Sequence, residues 1–568
     1  METYKDSIPY PWLLAKFRQI GLDTYSHNFT LNYPLGKPQK FTGKNVYGIL
    51  RAPRASSTES VVLSVPYRPS SSMNPTTAPS VAIMLAFAKF ANRERYWAKD
   101  IIFLITEHEQ LGIQAWLEAY HSTSCGTKGT LQHGDLRGRA GAIQAAINLE
   151  LHDINIGRID VKIEGLNGHL PNLDLVTLVN RMCVKEGVQN TFKNRGAFRS
   201  HDPYLEWKYS FQTMMSMIAT QSTGVPNGNH GLFHRFGIEA LTMEGFAKQK
   251  DRGNAADFMG MGRILESLFR SLNNLLERFH QSYFFYLLPS SDRFVSIGLY
   301  IPVVMCLAGT LFIKPCAHWY KLNEQKTKSR KTSEDDETER DENESEEDVD
   351  DIDFVRVGLI LLITHAIGIS VMNSPKYLTK LGLHYGYATD VSVYFSFLAI
   401  CALLLFMPLI ISGSNSRKNM QVLNIVANLE MGTTLIAIGM MNFSLALFTG
   451  TVYVPVVLII APVKSRIRSF VQRLLWLVLH PLVVMTTVVM VYTYTMFPNE
   501  TAVALFQRGL GASQQALMFS IVDSLIYGNW LYKVATGIFL SNWLCLWLVL
   551  FPNNVSTNNS TSVKQKLH

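Results

Sequence analysis

The 568 residues are 48% hydrophobic and 17% charged, with a mean hydropathy of +0.09 and a formal net charge of +8. The positive charge sits mostly at the flanks of apolar blocks, so it implies no nucleic-acid partner. Of six cysteines, only Cys125 and Cys183 precede residue 290, which excludes a disulfide scaffold.

Up to about residue 290 the chain has the mixed charge and Gly/Pro/Ser punctuation of a globular domain. Short β-like runs, NVYGIL (45–50), SVVLSVPY (60–67), DIIFLIT (100–106), AAINLEL (145–151), IDVKIEG (159–165) and GIEALTM (237–243), alternate with helical patterns. The helices are predicted near 78–92, 111–121, 172–187, 206–219 and 255–283. Strands separated by helices predict an α/β domain with a mainly parallel, doubly wound sheet. In such sheets chemistry gathers at the carboxyl ends of strands. Here those ends read Pro66-Tyr67-Arg68, Glu107-His108-Glu109 and Glu150-Leu151-His152, followed by the loop GNHGLFHRFGIEALT with His230 and His234.

From Phe294 onward come apolar blocks of the roughly 20-residue length that crosses a bilayer. Seven fall at about 294–314, 354–373, 390–412, 422–441, 443–463, 474–497 and 532–551. An eighth, 510–528, contains Gln514, Gln515 and Asp523 and is expected to be interfacial. The predicted organisation is a domain over 1–289, a first span within 290–316 and a charged, disordered loop over 317–353. Six further spans follow over 354–552, with a tail over 553–568.

Basic residues Arg417 and Lys418, and Lys464, Arg466, Arg468 and Arg473, follow the third and fifth blocks, both odd-numbered, which places those loops in the cytosol. Seven spans then put the N-terminal domain in the lumen and the tail in the cytosol. The tail ends KQKLH, and Lys564 and Lys566 have the spacing of a dilysine retrieval signal, which points to the endoplasmic reticulum membrane. Asn28, Asn499, Asn554 and Asn559 head glycosylation sequons. The chain opens METYKDSIPYPW without an apolar leader, which leads us to expect a longer form carrying one.

The order of pieces resembles the two-zinc aminopeptidase fold, and the chain more closely resembles the anchor-attachment subunit family of the GPI transamidase. That resemblance is carried by NVYGILRAPRASSTES (45–60), YWAKDIIFLITEHEQLGIQAWLEAYH (96–121) and GRAGAIQAAINLEL (138–151). GLNGHLPNLDLV (165–176), NHGLFHRFGIEALT (229–242) and LLERFHQSYFFYLLPSSDRFVSIGLYIP (275–302) extend it, as does Asn442-Phe443-Ser444-Leu445. It implies a zinc-aminopeptidase-like lumenal domain followed by an all-α polytopic transmembrane bundle.

A two-zinc centre needs a His-x-Asp, a bridging Asp, a Glu-Glu pair, a further Asp and a final His. The matching positions read Pro66-Tyr67-Arg68, Asn74-Pro75-Thr76-Thr77, Glu107-His108, Glu150 and His230. Without the bridging carboxylate, and with Arg68 nearby, a two-metal centre is not expected. Glu107, His108, Glu150 and His230 are the candidate metal residues. The alternatives are a single cation on His108, Glu150 and His230, or strand-end capping with no cofactor, and capping is the reading adopted. No catalytic residue is assigned, because neither Cys125 nor Cys183 sits in a nucleophile signature and no G-x-S-x-G occurs.

In the membrane half, polar groups inside apolar blocks are costly unless they face protein or water, which singles out Asn428, Glu430, Asn442 and His480 as lipid-binding candidates. His480-Pro481 also predicts a kink in the sixth block. The resemblance implies a non-catalytic subunit that recognises and positions the GPI glycolipid for attachment to precursor proteins with C-terminal GPI signals. It implies as partners the other transamidase subunits, including a caspase-like cysteine protease subunit that holds the catalytic cysteine. The alternative is metal-assisted amide-bond formation or aminopeptidase activity in the lumenal domain.

Overall fold

The computed structural model describes residues 7–54, 57–69, 71–248, 256–277, 279, 284–336, 352–411, 416–463 and 465–552. The chain forms two compact units. One comprises residues up to Pro302 with the short segments Met441–Leu445 and Asp523–Asn529, and the other Val303–Met440, Ala446–Val522 and the chain from Trp530 onward.

The first unit contains α1 (Tyr10–Ile20), β1 (Asp23–Asn32), β2 (Lys40–Leu50), β3 (Glu59–Pro66), α2 (Ala78–Ala91), β4 (Asp100–Thr106), α3 (Gln110–His121) and β5 (Leu131–Gln132). Next come β6 (Ala142–Leu151), β7 (Ile156–Lys162), α4 (Leu173–Lys185), β8 (Gln189–Phe192), β9 (Arg195–Gly196) and α5 (Pro203–Ser222). After α5 follow β10 (Glu239–Ala247), α6 (Phe258–Asn273), β11 (Tyr286–Ser290) and β12 (Arg293–Ser296). Among the described residues, ten strands make one sheet in the order β5-β1-β2-β4-β3-β6-β10-β7-β8-β9.

Its centre, β4-β3-β6-β10, is parallel, as the βαβ pattern predicts. Every residue of DIIFLIT in β4 is buried, because a parallel strand covered on both faces has no wet side. The flanks are largely antiparallel, at β1/β2, β2/β4 and β10/β7, so the sheet is mixed rather than mainly parallel. β1 explains why: its DTYSHNFTLN has one wet face and lacks the continuous apolar run that marks the central strands. Trp116 and Ile113 of α3 pack with Tyr47, Ile102, Leu104 and Phe233 into the core on one face. The sequon residue Asn28 is exposed on β1.

The helical region contains α7 (Ile297–Asp336), α8 (Phe354–Asn373), α9 (Pro375–His384), α10 (Thr389–Leu404), α11 (Met407–Ile411), α12 (Arg417–Met441) and α13 (Phe443–Ile459). α14 (Arg466–Val478), α15 (Pro481–Met496), α16 (Ala502–Ile526), α17 (Leu531–Val534) and α18 (Leu540–Val549) follow, the last two joined by a π-helical turn. Among the described residues, five helical segments are long and apolar enough to cross a membrane: Ile297–Glu324, Phe354–Asn373, Thr389–Ile411, Arg417–Met441 and Leu531–Val549. α13 is shorter, and the sixth apolar block is broken where α14 and α15 meet at 61°, the site of His480-Pro481. If that pair counts as one span, there are six.

The 510–528 segment lies mostly on α16, and its last residues belong to the α/β unit. α7 continues to Asp336, well past the expected end of the first span at 316, because HWYKLNEQKTKSRKTSE contains no helix breaker. Most of the acidic loop (337–351) and the tail with Asn554, Asn559, Lys564 and Lys566 lie outside the described residues.

Candidate functional site

At the carboxyl ends of β3, β4 and β6 a cavity of about 390 Å³ opens in the α/β unit, lined by polar side chains. Arg68, two residues beyond β3, is its central charge. Its Nε donates to Glu109 Oε1, and its Nη2 lies 3.0 Å from Glu109 Oε2 and 2.9 Å from Glu150 Oε2. One planar guanidinium thus bridges two carboxylates, using the forked donor geometry that arginine offers and lysine does not. Burial works against its charge, but Glu109 and Glu150 outweigh it and hold the proton more firmly than usual. Lys162, at the end of β7, bonds Glu244 at 3.0 Å and lies 3.9 Å from Glu150.

The β4–α3 junction decides which carboxylate faces the cavity. His108 and Glu109 both have left-handed backbone conformations, at φ 59° and 52°. Such torsions are uncommon away from glycine and reverse the side-chain order that an extended strand would give. Glu107 therefore points away: its Oε1 accepts from the Ile8 amide at 3.2 Å and its Oε2 from the Lys44 amide at 2.8 Å. His108 lines the cavity and meets the Phe29 ring edge-on, with centroids 6.4 Å apart.

Behind Arg68 a buried polar chain runs through the sheet. Asn148 donates to Glu150 at 2.9 Å and to Thr242 at 3.0 Å, and Thr242 Oγ1 lies 2.8 Å from His230 Nδ1. His230 is fully buried, and its Nε2 has no hydrogen-bond partner of good geometry among the described residues, with the Ile163 backbone nearest to supplying one. Burial holds its pKa well below the usual imidazole range, with His234 adding to the effect. His234 itself is pushed down to about 4 by burial, while its Nε2 bonds the Ala240 carbonyl at 2.8 Å.

The four metal candidates therefore part company. Glu107 secures backbone amides, Glu150 is held by Arg68 and Asn148, His230 is tied to Thr242, and His108 faces the cavity with no such side-chain bond among the described residues. Among the described residues, no three His, Cys, Asp or Glu side chains are grouped to hold a metal ion. Glu109 belongs to the Glu107-His108-Glu109 strand end read from the sequence but is not among the metal candidates, and Lys162 is not singled out there.

The four lipid-binding candidates also lie apart. Glu430 on α12 bonds His365 Nε2 of α8 at 2.8 Å and Asn542 of α18 at 3.2 Å. Asn428 donates to the Asn424 side chain at 2.7 Å. His480 caps α15, accepting from the Leu482 amide at 3.2 Å, and packs edge-on against Trp543. Asn442 belongs to the α/β unit, where its Nδ2 donates to the Gln221 carbonyl at 2.8 Å and to the Asn167 carbonyl at 3.3 Å.

A large mixed-sheet α/β domain, an ion-paired cavity at its strand ends and several apolar helices together define a multi-pass membrane protein with an α/β domain outside the spans. The chain belongs to the Gaa1-like, GPI transamidase component family, whose family model matches residues 42–547. It is 31% identical over 316 residues to the GPI transamidase component gaa1 of Schizosaccharomyces pombe, covering 55% of this chain and 51% of that one. It is 33% identical over 271 residues to the GPI transamidase component GAA1 of Saccharomyces cerevisiae, covering 47% and 41%. The chain thus spans about half the length of these curated relatives or less. Among solved structures, Legionella pneumophila LapA aminopeptidase is similar with a TM-score of 0.30 and 12% identity, covering 49% of this chain and 67% of that one. Porphyromonas gingivalis glutaminyl cyclase is similar with a TM-score of 0.28 and 13% identity, covering 46% and 88%.

Proposed function

We propose that this chain is a non-catalytic component of a GPI transamidase in the endoplasmic reticulum membrane, which recognises and positions the GPI glycolipid for attachment to precursor proteins. Family membership over residues 42–547 supports the assignment to that complex, and the apolar helices suit a protein that handles a lipid. In this reading the α/β domain is lumenal, the C-terminus is cytosolic, and the reacting cysteine belongs to a caspase-like partner subunit. The other subunits and precursor proteins with C-terminal GPI signals are its partners.

The observation that carries the non-catalytic part is Arg68 between Glu109 and Glu150. The carboxylates that could act as base or cation ligand are already ion-paired with a resident cation. A cavity so arranged suits binding of a polar group better than activation of water. Proximity and orientation alone can supply much of a barrier reduction when the nucleophile lies in another subunit.

The test uses cells lacking their own member of the family, supplied with this chain. Surface GPI-anchored protein is read by flow cytometry, and GPI lipid in the purified complex by mass spectrometry. The reading expects restored anchoring with co-purifying lipid, both kept by a His108→Ala/Glu109→Gln variant. Anchoring without co-purifying lipid would overturn anchor handling. Loss of anchoring in that variant at normal expression would favour the alternative, chemistry within the α/β domain.

A further inference from the structure

The charged side chains that line the strand-end cavity are two cations and two carboxylates, and each already has a partner. Arg68 is paired with Glu109 and Glu150, and Lys162 with Glu244. A charged ligand would have to pull one of these pairs apart, which is costly where Arg68 and Glu150 are largely shut off from water. The buried lining atoms left without a hydrogen bond are neutral. Asn229 is 2% exposed and lines the cavity, and its Nδ2 has no partner among the described residues. Two residues earlier, Asn227 Oδ1 also has none among them. One is a donor and the other an acceptor, and both cost free energy until something bonds them.

The loop that carries these two amides is held in place. Gln110 Nε2 donates to the Pro226 carbonyl at 3.2 Å, the Asn227 amide donates to the Glu164 carbonyl at 3.1 Å, and Asn227 Nδ2 donates to Glu164 Oε2. Gly228 packs so closely on Thr242 that a Cβ would lie 2.8 Å from its Oγ1. The donor and the acceptor are thus set before any ligand arrives. Tyr527 adds an aromatic wall. It lies in the Asp523–Asn529 segment of the same compact unit and packs against the core. Its carbonyl accepts from Arg235, and the Leu525 carbonyl accepts from the Thr127 amide at 2.7 Å.

These features select among neutral ligands. An extended peptide binds best along a free strand edge, but β4, β3, β6 and β10 each have a neighbour on both sides. A sugar ring needs no edge. Each of its hydroxyls both donates and accepts, so adjacent hydroxyls can satisfy an acceptor and a donor two residues apart. Its C–H faces suit an aromatic wall, and it disturbs no ion pair. The cavity, about 390 Å³, is at the small end of the roughly 300–1,000 Å³ usual for small-molecule sites.

We propose that this cavity binds an uncharged sugar residue, with Asn227 and Asn229 bonding its hydroxyls and Tyr527 against its ring. Taking that sugar from the glycan of the GPI glycolipid rests on the function proposed above. The recognition chemistry itself rests only on the lining residues.

The test is saturation-transfer NMR on the full chain in phosphatidylcholine nanodiscs, with neutral methyl pyranosides, 2-aminoethyl phosphate and glycylglycine amide as probes. The expected result is signal from pyranoside ring protons and none from the other two. That signal should fall several-fold in Asn229→Ala and Tyr527→Ala, and stay unchanged in Lys89→Ala on the exposed side of α2. Because the first two variants alter packed residues, a diazirine-bearing pyranoside is also crosslinked to the unaltered chain, with adducts expected at 226–229 or 527 by mass spectrometry. Adducts elsewhere only, or signal from the phosphate or the dipeptide with none from pyranosides, would overturn the proposal. Glycan released from a GPI-anchored protein should compete with the pyranoside, and competition by an N-glycan alone would overturn the assignment to the anchor. Co-purifying GPI lipid with no pyranoside binding would sink this inference and leave anchor handling in place. Pyranoside binding without co-purifying lipid would do the reverse.

Discussion

Arg68 Nη2 lies 2.9 Å from Glu150 Oε2, joining the end of β3 to the end of β6 through a side-chain pair that is largely shut off from water. The same guanidinium reaches Glu109 beyond β4, so three parallel strands share one cation. A metal ion could serve the same electrostatic purpose, drawing carboxylates together at strand ends. Here the cation is built into the chain.

Arg68→Leu should cost about 3 kcal/mol, the usual penalty for stranding one member of a buried pair. Lys162, 3.9 Å from Glu150, will recover part of that. Thermal unfolding of the purified chain would show a lowered Tm, and Arg68→Leu/Glu150→Gln should regain much of it. Equal melting of the single and double variants would mean that Glu150 is not charged in the native protein.

Acidification should destabilise the α/β unit. His234 is pushed down to about 4, and His230 well below its ordinary 6.5, both by burial, so the folded protein keeps them neutral. The unfolded chain binds those protons first, and stability falls as pH drops from about 6.5 towards 4. Glu239, raised by burial to about 7, acts in the opposite direction between its ordinary 4.5 and 7. Glu239→Gln should therefore steepen the acid loss measured by unfolding from pH 7 to 5. A shallower loss would show that one of these assignments has the wrong sign.

Gly168 has φ +81°, and a Cβ there would collide with the Asn442 amide. Gly168→Ala combines that collision with a left-handed alanine, which alone costs roughly 1–2 kcal/mol. Limited proteolysis should cut the variant faster than the parent. Unchanged cleavage would mean that the loop carrying Asn167 and Gly168 can shift away without penalty.

Glu430 is hydrogen-bonded to His365 and accepts from Asn542, linking α8, α12 and α18. Glu430→Ala should lower the detergent melting point, since hydrogen bonds between membrane helices contribute about 0.6 kcal/mol each and up to about 1.7. Glu430→Gln should fall between parent and Ala, since it keeps Asn542 as a donor partner. If Ala and Gln melt alike, the negative charge rather than the bonding matters.

Much of the fold was written locally. The buried runs in β3, β4 and β6, the helices between them and the break at His480-Pro481 each follow from the period or chemistry of a short stretch. The short flanking strands β5 and β9 were not legible, since pairs of residues such as Leu131–Gln132 have no period to read. In the site, Glu150 lies at the end of β6 and His108 faces the cavity, whereas His230 lies on the helical turn Asn229–Phe236 that precedes β10.

The sequence by itself determined that polar residues would gather beyond β3, β4 and β6, because only those ends interrupt continuous apolar strands. Tertiary structure alone decided which of them meet. Two left-handed residues at His108 and Glu109 send Glu107 to the Ile8 and Lys44 amides and turn Glu109 towards Arg68. Asn442, 275 residues from Asn167 in the chain, bonds its carbonyl within the same unit. Side-chain direction at a turn depends on backbone torsions, and long-range pairing depends on how the whole sheet closes. Neither is encoded in the spacing of residues along one strand.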